Sequence, residues 1–399
     1  MDRIEECLLD ALRCSVRGEA VRWKEPLSTS EQRSLIRLAS IHNVLPLAAE
    51  AVWDFGTWER LKGKARRLTI YQARRTAEFL LLYEELERRG LQPAVIKGVV
   101  LRALYPQPEQ RASVDEDMFV SEEEYPRLHQ ALLACGLYVL GDPTEDAEEV
   151  TYKNDERHLY LEVHKRMFAS DSDAYGDCNA PFAGCLERTE TVQIEDVTVR
   201  TLAPTDHLLY LICHAYKHFL HSGVGIRQVC DMGLFAEHYA SQLDWTHIVS
   251  ACRELHIERF AAALFRIGQQ YLGFAMPAAF EGYDEDTGPL LEDILTGGVY
   301  GAEDINRLHS STLTLDAVAA DRKGRRRGGA LRSVFLPTGD LAGRYPYLRQ
   351  RPWLVPVAWT QRIWGYVTKR KGTQVVKPTE SLRIARDRIA LLRRYGIID

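Results

Sequence analysis

The sequence lacks several features that would assign the chain to a special class of protein. Its eight cysteines include no C-x-x-C pair, which excludes a zinc ribbon and a thioredoxin-like redox motif. It has no apolar run of about eighteen residues, and no basic segment precedes an apolar one at its start. Neither charge dominates, since 51 Lys and Arg face 56 Asp and Glu. We therefore expect a cytoplasmic protein with free thiols, without a transmembrane segment, that does not bind polyanions through bulk charge.

The length and the spacing of apolar residues predict several regions. At 399 residues, 46% of them hydrophobic, the chain exceeds one ordinary core and predicts two or three domains. Helical spacing predicts an N-terminal helical region over residues 1–90, which ends with one long helix from Leu61 to Arg89. Residues 91–202 mix strands with helices, and residues 203–320 return to helix. Residues 321–399 combine a basic loop, an irregular segment and a C-terminal helix.

Capping residues and alternation predict the bounds of individual elements. Ser121, followed by acidic residues, predicts a helix that begins there. Period-two alternation predicts a strand from His158 to His164. Further strands are predicted at Tyr138 to Leu140, at Glu149 to Lys153 and within Val192 to Leu202.

The stretch from Ala94 to Val120 carries the clearest signal for chemistry. A short apolar strand ends at Lys97-Gly98, and a second strand contains Asp115 and Asp117, whose side chains share one face because they are two residues apart. Two carboxylates on one face repel each other unless a cation or a proton lies between them. The expected occupant is Mg2+ (or Mn2+), because Mg2+ binds one or two carboxylates together with substrate phosphates.

Glu162 supplies a third carboxylate from the polar face of another predicted strand. Three acids on neighbouring strands suit two-metal phosphoryl chemistry: two bridge the ions, and the third completes one ion and accepts the proton of the attacking hydroxyl. Asp115, Asp117 and Glu162 are therefore the predicted metal ligands and catalytic residues.

Lys97, Gly98 and Arg111 are predicted to contact phosphate groups. The backbone at Gly98 can approach a phosphate closely, and Lys97 supplies a cation. The alternative is a plain turn between a strand and a helix, and the local sequence does not decide between them. Arg111, four residues before Asp115, either contacts a phosphate or lies in solvent.

A second polar group lies on one face of a later predicted helix. His214, Lys217 and His218 follow the three- and four-residue spacing of that face, which is compatible with zinc, although no metalloprotease motif is present. The preferred interpretation is packing at a domain boundary, or a substrate cleft shared with His164. Asp231, on the next predicted helix, is interpreted as the partner of one of these cations.

Two further segments carry charged or aromatic side chains without a specific motif. Arg322 to Arg327 could bind an anionic acceptor, nucleic acid included, but this stretch lacks interleaved aromatic residues, so a solvated loop is the favoured interpretation. The stretch from Trp353 to Tyr366 is interpreted as core packing rather than as a membrane-surface segment.

Together these motifs resemble the bacterial "uncharacterised nucleotidyltransferase" family, a distant branch of the DNA polymerase β-like nucleotidyltransferases. The resemblance extends over about residues 30–365 and implies an α+β fold, in which a small mixed β-sheet nucleotidyltransferase domain lies between N-terminal and C-terminal helical regions. The residues that carry it are, in order, Val95-Ile96-Lys97-Gly98, Arg111, Asp115-x-Asp117, Leu161-Glu162-Val163-His164, His214-x-x-Lys217-His218, Asp231, Phe335-Leu336-Pro337 and Tyr345.

The resemblance also implies an activity. Such enzymes transfer a nucleoside monophosphate from a nucleoside triphosphate, such as ATP, to an acceptor, here an unidentified peptide, protein or saccharide. Asp115 and Asp117 would be the metal pair and Glu162 the third acid. Two departures from the superfamily are notable. Lys97-Gly98 stands where Gly-Ser is usual, and Glu162 stands where Asp is common, which moves the carboxylate by about 1.5 Å.

Two other functions remain open at this point. A metal at Asp115 and Asp117 could instead hold the diphosphate of a nucleotide-sugar, which would make the protein a glycosyltransferase. A catalytically degenerate domain that binds a nucleotide or a partner protein is the non-enzymatic alternative.

Overall fold

A computed structural model gives the structure of the chain. It describes residues 1–52, 59–144, 147–221, 223–298, 305–323, 351–358, 360–361, 370–371, 374–375 and 378–399. The helices of these segments are α1 (Arg3–Ser15), α2 (Thr29–Ile41), α3 (Leu45–Ala51), α4 (Glu59–Arg88), α5 (Val99–Arg102), α6 (Tyr125–Ala134), α7 (Pro204–His221), α8 (Ile226–His238), α9 (Trp245–Glu254), α10 (Glu258–Leu272), α11 (Gly288–Gly297), α12 (Ile305–Arg322) and α13 (Pro378–Arg394). The strands are β1 (Ala94–Val95), β2 (Glu116–Phe119), β3 (Tyr138–Val139), β4 (Glu149–Asn154), β5 (Leu159–His164), β6 (Thr189–Ile194), β7 (Val197–Leu202), β8 (Arg370–Lys371) and β9 (Gln374–Val375).

The first five strands form one sheet in the order β1-β2-β5-β4-β3. β2 and β5 run parallel, whereas the other neighbouring pairs are antiparallel. The sheet is therefore small and mixed, and helices flank it in the chain on both sides. This arrangement confirms the α+β fold that the sequence predicts.

The sheet has one apolar face and one polar face. Met118, Leu161 and Val163 on the apolar face are fully buried in a core that also includes side chains of α4 and α6. Because successive side chains of a strand alternate, the residues between them point the other way. The polar face carries the candidate catalytic residues, and α7 and α8 lie over it.

The β6–β7 hairpin corrects one prediction. The sequence predicts a single strand within Val192 to Leu202, but the chain reverses there, with Glu195 at a φ of +51° between two paired strands. The hairpin meets the main sheet at its edge, where the hydroxyl of Thr201 donates a hydrogen bond of 2.7 Å to the carbonyl of Val95.

The helix after β2 begins later than the sequence predicts. Ser121 is not the N-cap residue of α6, which starts at Tyr125. The Ser121 hydroxyl instead accepts a hydrogen bond of 3.1 Å from the backbone N–H of Glu124 and stabilises a turn. Pro126 in the first helical turn explains this start, because proline is favoured there, where its missing N–H is not needed.

The long helix α4 matches its predicted bounds closely, but its buried stripe is only partly apolar. Phe79 is fully buried, as predicted, whereas Tyr71 is 46% exposed. Gln72 and Arg75 take the buried positions in the middle turns, at 2% and 4% exposure. Their partners lie in the loop that leads to the candidate site.

The predicted basic loop is in part helical. Arg322 belongs to the end of α12 and pairs with Asp177, so it is not part of a solvated loop. Residues 324–350, 359 and 362–369 lie outside the described residues. The predictions for the basic stretch after Lys323 and for Phe335-Leu336-Pro337 and Tyr345 fall there. The stretch from Trp353 to Tyr366 is described at residues 353–358, 360 and 361. The predicted core packing is wrong for most of these residues, because Trp353 is 71% and Val357 43% exposed, whereas Ala358 is buried.

α13 contains the predicted C-terminal helix and meets α7. The Arg388 guanidinium donates hydrogen bonds to the carbonyls of Phe219 and His221 at the end of α7. None of the helices in the described segments is long and apolar enough to cross a membrane.

Candidate active site

Two neighbouring parallel strands bring the predicted acids together. Asp115 immediately precedes β2, and Asp117 lies within it, opposite Glu162 of β5 in the strand register. Phe119 is opposite His164 in the same way. Asp117, Glu162 and His164 therefore share the polar face of the sheet.

These residues form a compact group with the donor atoms of a metal site. Asp117, Glu162 and His164 offer ligand atoms that all lie within 4.8 Å of one another. Nε2 of His164 is 3.3 Å from Oδ1 of Asp117 and 4.0 Å from Oε2 of Glu162. Carboxylate oxygens suit Mg2+ or Mn2+, and imidazole also suits transition metals. The donor set thus fits a divalent ion. Asp115 lies outside this trio but borders the same cleft as Asp117.

Lys97 connects the acids to α7. Its Nζ is 2.8 Å from Oδ1 of Asp117 and 3.0 Å from Nε2 of His214. Nε2 of His214 also lies 3.0 Å from Nε2 of His218, and Nδ1 of His214 lies 3.4 Å from Nε2 of Gln228. His214 therefore belongs to the wall of the cleft, beside the acids, and His218 contacts it from α7.

The surroundings shift the pKa values of Asp117 and Glu162 in opposite directions. Burial alone would raise the pKa of Asp117, but Lys97 and the hydrogen bond from His164 lower it far below its usual value. Burial, followed by the charges of Asp117 and Asp115, raises the pKa of Glu162 to about 8. Near neutral pH the group therefore carries a proton on Glu162, as expected of a buried carboxyl group beside two other carboxylates.

Burial also keeps His214 and His218 of α7 neutral. It lowers the pKa of His214 and of His218 well below the usual value, and the charge of Lys97 lowers both further. Their ring nitrogens are thus available for hydrogen bonds with a ligand or with each other.

Gly98 is required by a contact that the sequence alone does not reveal. Its φ of +56° and ψ of −118° place it in a region that side chains avoid. A Cβ atom there would lie 1.8 Å from Oε2 of Glu116. That carboxylate accepts a 2.8 Å hydrogen bond from the backbone N–H of Val99 and pairs with Arg102. The backbone N–H of Val99 therefore already has an acceptor in Glu116 and is not free to bind a phosphate.

Buried polar side chains fix the loop that carries Asp115. Arg75 donates to the carbonyls of Ser113 and Val114, and Arg102 donates a 2.6 Å hydrogen bond to the Ser113 hydroxyl. Arg227 of α8 donates to the carbonyl of Ala112. The sequence analysis did not identify this set. Its one visible signal is Arg75, a charged residue that interrupts the predicted apolar stripe of α4.

Arg111 and Asp231 contact each other rather than their predicted partners. Arg111 is 3% exposed and is bound to Asp231 through two hydrogen bonds of 2.6 and 2.7 Å. The prediction that Asp231 pairs with a cation of the His214–His218 group is therefore wrong. The physical reason is that the loop before β2 packs against α8, which brings the guanidinium of Arg111 next to Asp231. Arg111 still borders the cleft, and its Nη1 has no hydrogen-bond partner in the described part of the chain.

Two cavities flank the acids. The first, which we call the cleft, measures about 20 Å3, room for about one water molecule. The second, which we call the side cavity, measures about 510 Å3. Side chains that line the cleft include those of Lys97, Arg111, Asp115, Asp117, His214 and Arg227, and its floor includes Gly98. Side chains that line the side cavity include those of Glu149, His164, Arg166, Phe168, Ser170 and Lys217. Lys217 thus lies apart from the cleft that holds His214.

Comparison with known proteins gives one match. Residues 28–273, well over half of the chain, match the family described as "Uncharacterised nucleotidyltransferase". The match includes every candidate site residue and ends before the C-terminal segments. Neither the curated proteins nor the solved structures give a match. The small mixed sheet and the matched region together place this chain in the uncharacterised nucleotidyltransferase family.

Proposed function

We propose that the protein transfers a nucleoside monophosphate from a nucleoside triphosphate to an acceptor hydroxyl or phosphate, in a reaction that depends on Mg2+ or Mn2+. The observation that carries this proposal is the position of Asp117 directly opposite Glu162 on parallel neighbouring strands, with Asp115 beside them. Family membership supports the class of reaction.

The chain's own residues divide the work of the proposed reaction. Asp115, Asp117 and Glu162, with His164 as a further donor, would hold the metal. When bound, the metal polarises the phosphates and offsets the charge that develops on them. Lys97 is placed to contact the triphosphate, provided that its ammonium group leaves Asp117. Glu162, once ionised, accepts the proton of the attacking hydroxyl.

The cleft must widen for this reaction, because it has room for about one water molecule. Two bonds of Lys97 hold it closed, one to Asp117 and one to His214. Lys97 would find a new anionic partner in a bound triphosphate, and Asp117, as one of the residues that would hold the metal, would no longer need Lys97 as its counter-ion. The two contacts that close the cleft would then be replaced.

The test is transfer of label from an α-labelled nucleoside triphosphate in the presence of Mg2+, together with release of pyrophosphate. We expect Asp115→Ala plus Asp117→Ala to abolish both signals. Glu162→Gln should keep nucleotide binding and lose turnover by at least about a hundredfold, because general bases contribute roughly that much. A double variant as active as the parent would refute the assignment.

The same assay separates the two alternatives. A glycosyltransferase would add the mass of a hexose to an acceptor from a nucleotide-sugar and release no pyrophosphate from a triphosphate. A degenerate protein would bind the nucleotide without turnover, and Glu162→Gln would not alter that binding.

We also propose a reducing compartment, the cytoplasm, for this chain. All eight cysteines are free thiols, and six of them are buried. Disulfides are rare in such a compartment.

A further inference from the structure

The side cavity begins where the acid group ends. Glu149 of β4 is opposite His164 of β5 in the register, and its Oε2 is 3.5 Å from Nδ1 of that ring. The other ring nitrogen of His164 faces Asp117 at 3.3 Å. His164 therefore stands between the acids and the side cavity. The cleft lies on the far side of the acids, against Lys97 and α8.

We propose that the side cavity is the acceptor site, and that its ligand is a small hydroxyl compound carrying one phosphate or carboxylate group. This inference rests on the proposed nucleotidyl transfer and assigns the second substrate of the same site. In line attack requires donor and acceptor on opposite sides of the reacting phosphorus. Two cavities on either side of the Asp117–His164 contact, one lined by Asp117 and the other by His164, suit that arrangement.

Lys217 determines the charge of the expected ligand. It projects from α7 into the lining of the side cavity and is half-buried. Within the described part of the chain it makes no ion pair and no hydrogen bond. A partly buried cation without a counter-ion is costly, so an anionic ligand group would satisfy it.

The other charged side chains of the lining do not compensate Lys217. Glu148 accepts hydrogen bonds from the backbone N–H and the hydroxyl of Ser170. Arg166 is 2.8 Å from Glu122, in an ion pair whose side chains are 53% and 58% exposed. Glu149 lies against His164 with 43% of its side chain exposed. Asp171, the third acid of the lining, is exposed. None of these acids forms an ion pair with Lys217 in the described part of the chain, so Lys217 is the cation left for a ligand.

The size and walls of the side cavity limit the ligand further. Its volume of about 510 Å3 accommodates a compound of small-metabolite size or the end of a larger chain. Met167 and Phe168 line one wall and are buried, so part of the wall is apolar. A ligand here has its anionic group at Lys217 and its hydroxyl at His164, whose Nε2 is 4.0 Å from Oε2 of Glu162.

The proposed step balances as follows. The acceptor hydroxyl gives its proton to the Glu162 carboxylate, and its oxygen forms a bond to the α-phosphorus. The bond from that phosphorus to the oxygen that bridges to the β-phosphorus breaks. Pyrophosphate leaves with the electron pair, and the product is a phosphodiester.

The test uses three related probes: glycerol 3-phosphate, glycerate and glycerol. Each is offered with α-labelled ATP and Mg2+, and KM is measured from label transfer. Of the two charged probes, we expect the one with the lower KM to have a KM at least about tenfold below that of glycerol. Preference for glycerol 3-phosphate would assign a phosphate group, and preference for glycerate a carboxylate.

Substitutions at Lys217 and at a control residue, Lys153, complete the experiment. Lys217→Ala should bring the KM ratio of charged to neutral probe close to one, and Lys217→Arg should retain most of the preference. Lys153→Ala is the control, because Lys153 lies on β4, pairs with Asp155 and does not line the side cavity. It should leave all three KM values as in the parent.

Failure of the inference and failure of the proposed function give different results. An enzyme that cleaves ATP to AMP and pyrophosphate but labels none of the probes, or labels charged and neutral probes equally, overturns the acceptor assignment alone. Loss of ATP binding in Lys217→Ala, measured by titration, would assign Lys217 to the nucleotide and also overturn it. No ATP cleavage by the parent overturns both.

Discussion

Arg111 and Asp231 form a two-pronged ion pair inside the molecule, with Nε to Oδ1 at 2.6 Å and Nη2 to Oδ2 at 2.7 Å. Tyr105 adds a 2.7 Å hydrogen bond to the same carboxylate. The side chains of Arg111 and Asp231 are 3% and 5% exposed. The pair ties the loop before Asp115 to α8, and so positions that acid against the helical wall of the cleft.

Asp231→Asn should destabilise the protein strongly. The change leaves the charge of Arg111 buried without a counter-ion, and breaking such a pair typically costs about 3–5 kcal/mol of the free energy of unfolding. Denaturant unfolding of parent and variant measures this. The control is Glu122→Gln, which breaks a pair with Arg166 whose partners are 58% and 53% exposed and should change little. Equal effects of the two substitutions would contradict the structural role of the buried pair.

Gly98→Ala should damage the site more than strain alone would. The backbone there has a φ of +56°, and the new Cβ would displace the Glu116 carboxylate that holds Val99 and Arg102. Gly141→Ala is the matched control, because Gly141 has a φ of +84° with nothing within 4 Å of a Cβ. Strain at either position costs about 1–3 kcal/mol. We expect Gly98→Ala to lose clearly more unfolding free energy than the control and most nucleotidyl transfer. Similar losses in both variants would show that the contact with Glu116 is unimportant.

The sequence predicts the elements of the site better than the contacts that hold it. Alternation along β5 and the Asp-x-Asp pair predict which side chains share a face, because a strand repeats every two residues. The helices from α7 to α10 follow from apolar spacing and lie close to their predicted bounds. These features depend on neighbouring residues within one short stretch of chain, so they can be predicted from the pattern of the sequence.

Contacts between distant segments could not be predicted in this way. Arg111 meets Asp231 across 120 residues, and Arg75 meets the backbone of Val114 across 39. Neither pairing leaves a periodic signal in one sequence. The need for glycine at position 98 could not be predicted either, because it comes from the close approach of the Glu116 carboxylate, a contact with another segment of the chain.

Lys97→Met should tighten metal binding in the absence of nucleotide. The ammonium group lies 2.8 Å from Oδ1 of Asp117 and competes with a divalent ion for that oxygen. Its removal leaves the carboxylate without that cation, so we expect the Kd for Mn2+ to fall about tenfold, which corresponds to about 1.4 kcal/mol. Electron paramagnetic resonance of free Mn2+ measures this.

The same variant should bind ATP more weakly, because Lys97 is a proposed phosphate contact. Lys153→Met is its control: Lys153 pairs with Asp155 away from the acids, so both affinities should stay as in the parent. If Lys97→Met bound Mn2+ more weakly than the parent, Lys97 would support the metal site rather than compete with it.

The stability of the protein should fall with pH below 6.5, in part because of His42. This ring is fully buried, its Nε2 is 3.2 Å from the carbonyl of Leu295, and burial lowers its pKa to about 4. The unfolded chain therefore takes up a proton near pH 6.5 that the folded chain does not take up until about pH 4. The sign follows from this difference: the contribution of neutral His42 is intact above pH 6.5, decreases as the pH falls, and is lost below about pH 4. Between these limits the loss is about 1.4 kcal/mol per pH unit.

His42→Gln tests this directly, because glutamine keeps a donor for the Leu295 carbonyl and does not titrate. We expect the slope of unfolding free energy against pH, from urea unfolding between pH 6 and 5, to decrease by about 1 kcal/mol per pH unit relative to the parent. The remaining slope belongs to other buried histidines, such as His207, whose pKa burial lowers to about 4. His247→Gln, at an exposed position, should leave the slope as in the parent. An unchanged slope in His42→Gln would mean that the ring is already protonated in the folded protein, and that the carbonyl of Leu295 stabilises the charge at its buried position.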